Sequence, residues 1–236
     1  MSNFDSIKVE NIAFLDVGNS TFKLGQRKED QWQIQWFKSA KVLGEALKVQ
    51  DYEYMVTASV RATKDWADDI AQEIPVALLE VADVPKELLS YETPETLGID
   101  RFLGCFGAHC LSDKPVVVID CGSACTIDLM DGDGVFQGGV ILPGVRALLQ
   151  VFGIAAPALP TAEFLIPAKF PGKSSKASLQ WGIAQFLVDG IRANLARYEA
   201  EIGDFELFVT GGDGELILPH IQHKVAFRPD LIFLGM

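Results

Sequence analysis

The hydrophobic pattern is clearest in the middle of the chain, where short apolar runs alternate with glycine-rich turns. Val116, Val117, Val118 and Ile119 form a β-favouring run too short for a helix, and it ends in Asp-x-Gly-Ser. A second apolar stretch follows, then the hairpin signal Asp-Gly-Asp-Gly at 131–134 and a further run over 138–144. The pattern predicts strand, glycine turn, strand, hairpin and strand.

The same pattern occurs near the N-terminus. Ile12 to Leu15 predicts a strand that ends in Asp16-Val17-Gly18-Asn19, and strands over Phe22–Gly25 and Gln31–Phe37 follow it. A single Asp-x-Gly after a strand is more often only a common turn. Two copies with matching flanks, at Asp16 and Asp120, favour one structural unit used twice.

A duplicated β-β-β unit with helices between the strands predicts an α/β fold of two lobes that face each other across a cleft, with domains at 1–114 and 115–236. Each lobe is expected to present its Asp-x-Gly turn to that cleft. Further strands are predicted over Tyr54–Val60, Val76–Val81, Phe205–Val209 and Leu231–Leu234. Helices are predicted over Lys41–Gln50, Lys64–Glu73, Gly98–His109, Val145–Phe152 and Ala177–Glu201.

Composition and charge restrict the classes of partner. The 236 residues are 49% hydrophobic, which is enough for a substantial core, and 20 basic against 32 acidic residues give a formal net charge of −12. This charge disfavours nonspecific binding to nucleic acid or anionic membranes. No apolar run is long enough to span a membrane and no signal peptide is evident, so we expect a cytoplasmic protein.

Four cysteines lie close together in the sequence, at Cys105, Cys110, Cys121 and Cys125, without a C-x-x-C pair. Free cysteine is usually a small core residue, and structural zinc needs tighter ligand spacing. We therefore expect reduced, buried thiols.

Three strand-end turns of small residues, at Gly18, Gly122 and Gly211-Gly212, fit the needs of a nucleoside triphosphate. Two of the turns could clasp phosphates through backbone amides, and the third would leave room beside a purine or ribose. Asp16 is a candidate magnesium ligand, because hard cations favour carboxylate oxygens. The chain has no Walker A motif, so another type of nucleotide fold is indicated.

Five ordered motifs together resemble those of type III pantothenate kinases, members of the actin-like and sugar-kinase ATPase superfamily. They are Asp16-Val17-Gly18-Asn19, Gly98-Ile99-Asp100-Arg101, the segment 120–128, the segment 138–144 and Thr210-Gly211-Gly212. The resemblance spans most of the chain and implies two ribonuclease-H-like lobes. It also implies ATP-dependent phosphorylation of the terminal hydroxyl of pantothenate, the entry step to coenzyme A.

The resemblance assigns Asp100 as the catalytic base and brings Gly98, Ile99, Asp100 and Arg101 to face pantothenate. Taken alone, the Asp-Arg pair could equally be an acid at a helix start and a solvated arginine. An acidic protein nevertheless needs a local cation to hold the carboxylate of pantothenate, which suits Arg101. By the same similarity, Tyr91 and Ser175 contact pantothenate.

The resemblance also implies the nucleotide and ion contacts. Ser123 contacts ATP, Gly211 and Gly212 form the third turn, and Asp120 holds the potassium or ammonium ion that many family members require. Ser20 and Ser123 stand where threonine is usual, and both retain the hydroxyl. The residues expected to line the ATP phosphates are Asp16, Val17, Gly18, Asn19, Ser20, Thr21, Phe22 and Lys23.

Homodimers are common in this family, so a homodimer is expected. Two other functions stay open. The chain could be another small-molecule kinase of the same superfamily, acting on a sugar or a short acid. It could also be a nonenzymatic regulatory relative, although such a protein would not need the base Asp100.

Overall fold

Each half of the chain forms a five-stranded mixed sheet, in a computed structural model that describes residues 8–61, 67, 70 and 74–236. By contacts between Cα atoms, the chain divides into one unit of Met1–Cys110 with Asp230–Met236 and a second unit of Leu111–Pro229. The helix predicted over 64–73 falls largely outside the described residues.

Among its described residues, the first unit contains strands β1 to β5 and helices α1, α2 and α6. Its elements are β1 (Ile12–Val17), β2 (Phe22–Lys28), β3 (Gln31–Phe37), α1 (Ala40–Leu47), β4 (Tyr54–Ser59), β5 (Val76–Leu79), α2 (Ile99–His109) and, from the end of the chain, α6 (Leu231–Gly235). Short 3₁₀ turns cover Val9–Asn11, Val81–Asp83, Lys86–Leu88 and Pro94–Thr96.

The second unit repeats the arrangement of strands and includes the 28-residue helix α4. Its elements are β6 (Val116–Cys121), β7 (Ala124–Met130), β8 (Phe136–Pro143), α3 (Val145–Ala155), α4 (Ser175–Ile202), β9 (Glu206–Thr210), α5 (Gly214–Ile217) and β10 (Val225–Phe227). A 3₁₀ turn covers Leu218–His220. The pairing of β7 with β8 shifts register between Leu129 and Met130.

The two sheets have the same topology, which confirms the internal repeat. Their orders are β3-β2-β1-β4-β5 and β8-β7-β6-β9-β10. In each, the first three strands are antiparallel and the last two are parallel to the first. The predicted α/β class and two-lobe organisation are therefore confirmed.

The central strands β1 and β6 are buried along most of their length. In β1, all residues from Ala13 to Val17 are buried, and in β6 only Asp120 is partly exposed. Such strands appear as continuous apolar runs rather than alternating ones, which matches the sequence. Each run ends in an aspartate, so each buried strand places a carboxylate at its C-terminal end. None of the helices in the described part of the chain could cross a bilayer.

The prediction of a strand over Leu231–Leu234 is wrong, because these residues lie in helix α6. The amides of Phe233 and Leu234 donate to the carbonyl of Asp230, at 3.0 and 3.1 Å, which starts a helical turn. Phe233 then packs on the first sheet, where its ring stacks on Trp32 at 5.4 Å. A run of four apolar residues is too short to separate helical from strand periodicity, so tertiary packing decides its conformation.

Candidate active site

The first glycine turn joins β1 to β2 in the first unit. The amide of Gly18 donates to the carbonyl of Thr21 at 3.0 Å, and this bond closes the turn. A Cβ at Gly18 would lie 3.3 Å from the same carbonyl oxygen, so the position favours glycine. Asn19 and Ser20 occupy the exposed tip. The turn is thus a small, backbone-defined loop of the kind that receives anions.

A buried ion pair lies at the base of this turn. Asp16 and Lys23 are opposite each other in the β1–β2 register, and Lys23 Nζ lies 2.9 Å from Asp16 Oδ2. The Lys23 side chain is only 15% exposed and the Asp16 side chain only 5%, so water screens their attraction weakly. The pair places an ammonium group, which suits phosphate, beside a carboxylate, which suits a hard cation.

A magnesium ion at this turn would depend mainly on Asp16 and the nucleotide. Mg²⁺ is usually held by one or two carboxylates, several waters and substrate phosphates rather than by a protein cage. Within the residues that the structure describes, no cluster of three or more acidic, histidine or cysteine side chains forms such a cage. Asp16 therefore fits Mg²⁺ in its chemistry, as one carboxylate ligand.

The start of α2 carries the predicted base. Gly98 precedes the helix, and the carboxylate of Asp100 accepts a hydrogen bond from the amide of Arg101 at 2.8 Å. A Cβ at Gly98 would lie only 2.5 Å from Asp100 Oδ1, so a side chain there would displace the carboxylate. The helix N-terminus also favours a negatively charged group electrostatically. The Gly-Ile-Asp-Arg motif thus fixes the orientation of Asp100.

Arg101 contacts Tyr91, which lies ten positions earlier in the sequence. Arg101 Nη1 lies 3.4 Å from the hydroxyl of Tyr91, and the guanidinium carbon lies 5.9 Å from the centre of the ring. Both side chains are partly buried. Together they form a half-buried cationic and phenolic pair beside Asp100, which could hold a carboxylate through charged hydrogen bonds.

Val60 connects the glycine turn to the start of α2. Its amide donates to the carbonyl of Val17 at 3.2 Å, just before the turn. Its Cγ1 atom would lie 3.6 Å from a Cβ at Gly98, just before Asp100. The first unit therefore brings the predicted phosphate turn and the predicted base to neighbouring positions, on either side of the end of β4.

In the second unit, the turn between β6 and β7 packs closely against Gly144. The amide of Gly122 donates to the carbonyl of Ala124 at 2.9 Å, and Ser123 is exposed at the tip. A Cβ at Gly144 would lie 2.4 Å from the carbonyl oxygen of Gly122. The glycine that ends the 138–144 motif thus packs directly against the turn and supports its backbone.

The third turn approaches Asp120 closely. Gly211 has φ +89°, and a Cβ there would lie 2.3 Å from the carbonyl oxygen of Cys121 and 2.4 Å from Asp120 Oδ1. Gly212 follows it and is exposed. A carboxylate and a carbonyl oxygen therefore lie at one place, and these are the donors that alkali cations prefer. This donor set fits the predicted monovalent cation at Asp120.

The cysteines occupy mixed environments. Cys105, Cys121 and Cys125 are buried, as predicted, whereas Cys110 is exposed after the end of α2 and the prediction of burial is wrong there. Cys121 and Cys125 are opposite each other across the second turn, with sulfur atoms 3.6 Å apart. Their hydrogen bond and burial raise the pKa of the Cys121 thiol, so it stays protonated.

Ser175 is the first residue of α4 in the second unit. The hydroxyl of the preceding Ser174 accepts a hydrogen bond from the amide of Ala177 at 3.2 Å, which caps the helix. Ser175 and its neighbours Lys173 and Ser178 line an open groove of about 510 Å³. The contact of Ser175 with pantothenate stays a prediction.

Two residues at the turns were not identified from the sequence. Arg61 follows β4, and its Nε donates to the carbonyl of Gly18 at 2.9 Å. Asp213 follows the third turn, and its amide donates to the carbonyl of Cys121 at 3.0 Å. Burial raises the pKa of the Asp213 carboxyl, and the charge of Arg146 partly opposes this. No sequence signal marks the role of either residue, because each is brought to its turn by the pairing of strands that are distant in sequence, β4 with β1 for Arg61 and β9 with β6 for Asp213.

The chain resembles known proteins over most of its length. A family model described as type III pantothenate kinase matches residues 12–197. A type III pantothenate kinase of Chlorobaculum tepidum is 36% identical over 141 residues, and one of Dichelobacter nodosus is 36% identical over 155 residues. The alignments cover 56% and 62% of this chain but only 52% and 58% of those two relatives. One of Synechococcus elongatus is 29% identical over 234 residues, covering 94% of this chain and 93% of that relative.

Solved structures support the fold. A Campylobacter jejuni protein described as a Baf family transcriptional activator superposes with a TM-score of 0.62 at 22% identity, covering 94% of each chain. A Sinorhizobium meliloti protein described as a 2-dehydro-3-deoxygalactonokinase superposes with a TM-score of 0.58 at 13% identity, covering 95% of this chain and 96% of that chain. Identities this low establish a shared fold and not a shared activity.

Proposed function

The chain belongs to the type III pantothenate kinase family, and we propose that it transfers the γ-phosphoryl group of ATP to the terminal primary hydroxyl of pantothenate. The product is 4′-phosphopantothenate, and the reaction is the first step of coenzyme A biosynthesis. The observation that carries the proposal is the proximity, in the first unit, of a glycine turn suited to phosphate and an Asp-Arg-Tyr cluster. The turn binds the phosphates of the nucleotide, and the cluster binds an acceptor that carries both a hydroxyl and a carboxylate.

Asp100 is the general base of the proposed reaction. As the hydroxyl oxygen of pantothenate forms a bond to the γ-phosphorus, Asp100 accepts the hydroxyl proton, and the bond to the β,γ-bridging oxygen breaks to release ADP. The hydrogen bond from the Arg101 amide holds the carboxylate in place, and the lack of a side chain at Gly98 leaves room for it. Positioning of this kind supplies much of the catalysis of phosphoryl transfer.

The nucleotide binds to the residues of the first turn, Asp16 to Lys23. Lys23 offers an ammonium group close to the turn, and Asp16 is the candidate ligand of Mg²⁺. When bound, the metal ion neutralises charge that develops on the phosphoryl oxygens. Ser123, Gly211 and Gly212 keep their predicted roles as nucleotide contacts.

Asp120 is the proposed ligand of potassium or ammonium. Its carboxylate and the Cys121 carbonyl provide oxygen donors at the third turn. Activity that is equal in sodium chloride and potassium chloride would contradict this role.

A homodimer is also proposed, together with a cytoplasmic location in which ATP and pantothenate are the partners. The second unit exposes large apolar side chains, including Ile154, Phe170 and Phe186, at 85%, 71% and 61% of their full accessible area. Exposed apolar surface often marks an interaction site. Sedimentation velocity measures the mass in solution, and a monomer at micromolar concentration would contradict the dimer.

The activity is tested with purified protein, ATP, magnesium and potassium. Mass spectrometry should detect phosphopantothenate, and a panel of sugars and short carboxylic acids should show no comparable turnover. Turnover of a panel member in place of pantothenate would identify another small-molecule kinase. Binding of ATP without turnover of any acceptor would favour a regulatory relative.

Replacement of Arg101 by alanine is expected to raise the KM for pantothenate by about ten- to a hundredfold. The reason is that a charged hydrogen bond to the pantothenate carboxylate contributes about 1.5 to 3 kcal/mol. The KM for ATP should change by less than a factor of about three. Steady-state kinetics with each substrate varied in turn measures both values.

Pantothenol, in which a hydroxymethyl group replaces the carboxylate, is the matched control for this prediction. It should bind wild type and Arg101→Ala with similar affinity, because neither complex can form an ion pair between residue 101 and a ligand carboxylate. An unchanged KM for pantothenate in Arg101→Ala would remove Arg101 from the binding role.

A further inference from the structure

Arg61 links the two ends of the first glycine turn. It follows β4, and its Nε donates to the carbonyl oxygen of Gly18 at 2.9 Å. Its guanidinium carbon also lies 4.2 Å from the centre of the Phe22 ring. Gly18 begins the turn and Phe22 begins the strand that follows it, so one side chain contacts both ends of the turn.

The hydrogen bond lies just beyond the last backbone bond between two parallel strands. In the ladder between β1 and β4, the last backbone bond runs from the amide of Val60 to the carbonyl of Val17 at 3.2 Å. The next carbonyl, that of Gly18, receives the Arg61 side chain instead of a backbone amide. Both polar backbone groups of Gly18 are then satisfied, since its amide already bonds to Thr21.

The chemistry of arginine suits this position better than that of lysine. The guanidinium is planar and can stack on an aromatic ring while Nε donates in the plane. A lysine ammonium could make one of these contacts but has no fixed planar geometry with which to make both. The two contacts therefore restrict the turn through the shape of the side chain as well as through its charge.

We propose that Arg61 is a positioning residue of the nucleotide site, which holds the Gly18–Thr21 turn in the conformation that receives the ATP phosphates. The inference rests on the proposed function, in that the turn is taken as part of the phosphate site. A loop that is fixed before binding loses less conformational freedom when the ligand arrives, so the protein binds that ligand more tightly. Arg61 thus acts on ATP affinity through the backbone of the turn.

The test compares Arg61→Met, Arg61→Lys and the control Arg27→Met. Arg27 lies in the same sheet near the other end of β2 and pairs with Asp30 at 3.1 Å, away from the turn. Calorimetry without pantothenate measures the Kd of a nonhydrolysable ATP analogue. Kinetics gives the KM for each substrate, and thermal unfolding monitors the fold.

We expect Arg61→Met to raise the Kd of the analogue and the KM for ATP by about tenfold, the effect of losing one charged hydrogen bond. The KM for pantothenate should stay within about twofold, and Arg27→Met should match wild type. Arg61→Lys should recover only part of the loss, because it restores charge and not the planar contacts. Full recovery by lysine would show that charge alone matters and would overturn the positioning role.

Wild-type nucleotide affinity in Arg61→Met would also overturn the inference. If Arg61→Met fails to fold, Arg61→Lys decides, and in that variant an unchanged Kd for the analogue overturns the proposal. Wild-type protein that binds the analogue but does not phosphorylate pantothenate would contradict the proposed function, while the effect of Arg61 on binding would still be measured. Wild-type protein that binds no nucleotide would overturn both.

Discussion

Asp100→Asn is expected to lower the kcat for phosphorylation of pantothenate by about two to four orders of magnitude, the usual effect of losing a positioned base. Asparagine has nearly the same shape as aspartate and can still accept the hydrogen bond from the Arg101 amide, so the start of α2 should be preserved. It cannot accept the hydroxyl proton. Single-turnover kinetics separates this chemical step from substrate binding and product release.

The Kd of an ATP analogue should be nearly the same for Asp100→Asn and wild type, because the predicted phosphate contacts lie in the turn after β1. Glu95→Gln is the matched control, since Glu95 is an exposed carboxylate in the 3₁₀ turn just before the same helix. It should retain wild-type kcat. Near-normal turnover in Asp100→Asn would assign Asp100 to the structure of the helix start instead.

The repeated architecture could be predicted from the sequence because its signal is local. Each buried strand is a short apolar run, and each ends in an aspartate followed within two residues by glycine. The two copies predict equivalent sheets, and the observed orders are the same. The family motifs then located the start of α2, where Asp100, Arg101 and Tyr91 do lie together.

The remaining features depend on contacts between distant segments. The conformation of Leu231–Gly235 is determined by packing against α2 and the first sheet, which a short apolar run does not reveal. Arg61 has no motif around it, and its role follows only from the parallel pairing of β4 with β1. Asp213 is likewise brought to the carbonyl of Cys121 by the pairing of β9 with β6. The hydrophobic periodicity of a sequence predicts where strands occur. It does not predict which strands pair, or in which register, when they are far apart in the sequence.

The packing of α6 on α2 explains why glycine occurs in both helices. A Cβ at Gly107 in α2 would lie 2.0 Å from the carbonyl oxygen of Leu231, and one at Gly235 in α6 would lie 2.1 Å from that of Leu103. Real Cβ atoms do not approach other atoms so closely. The two backbones therefore touch at these glycines, and α2, which carries Asp100, is braced by the end of the chain.

Gly107→Ala is expected to lower the free energy of unfolding by about 1 to 3 kcal/mol, the usual cost of overpacking. The added methyl group would meet backbone atoms, which cannot move aside by changing rotamer, so α6 must shift as a whole. Gly104→Ala is the matched control in the same helix, because a Cβ at Gly104 would meet nothing within 4 Å. That variant should be unchanged or more stable by up to about 1 kcal/mol, since alanine favours helices over glycine.

Urea unfolding followed by far-ultraviolet circular dichroism compares the two variants with wild type. The stabilities of Gly107→Ala and Gly104→Ala should differ by about 1 to 4 kcal/mol, because the first variant is expected to lose about 1 to 3 kcal/mol and the second to gain up to about 1 kcal/mol. Because helix propensity acts equally at both positions, this difference isolates the contact between α2 and α6. Equal stability of the two variants would show that the end of the chain does not pack on the helix of Asp100.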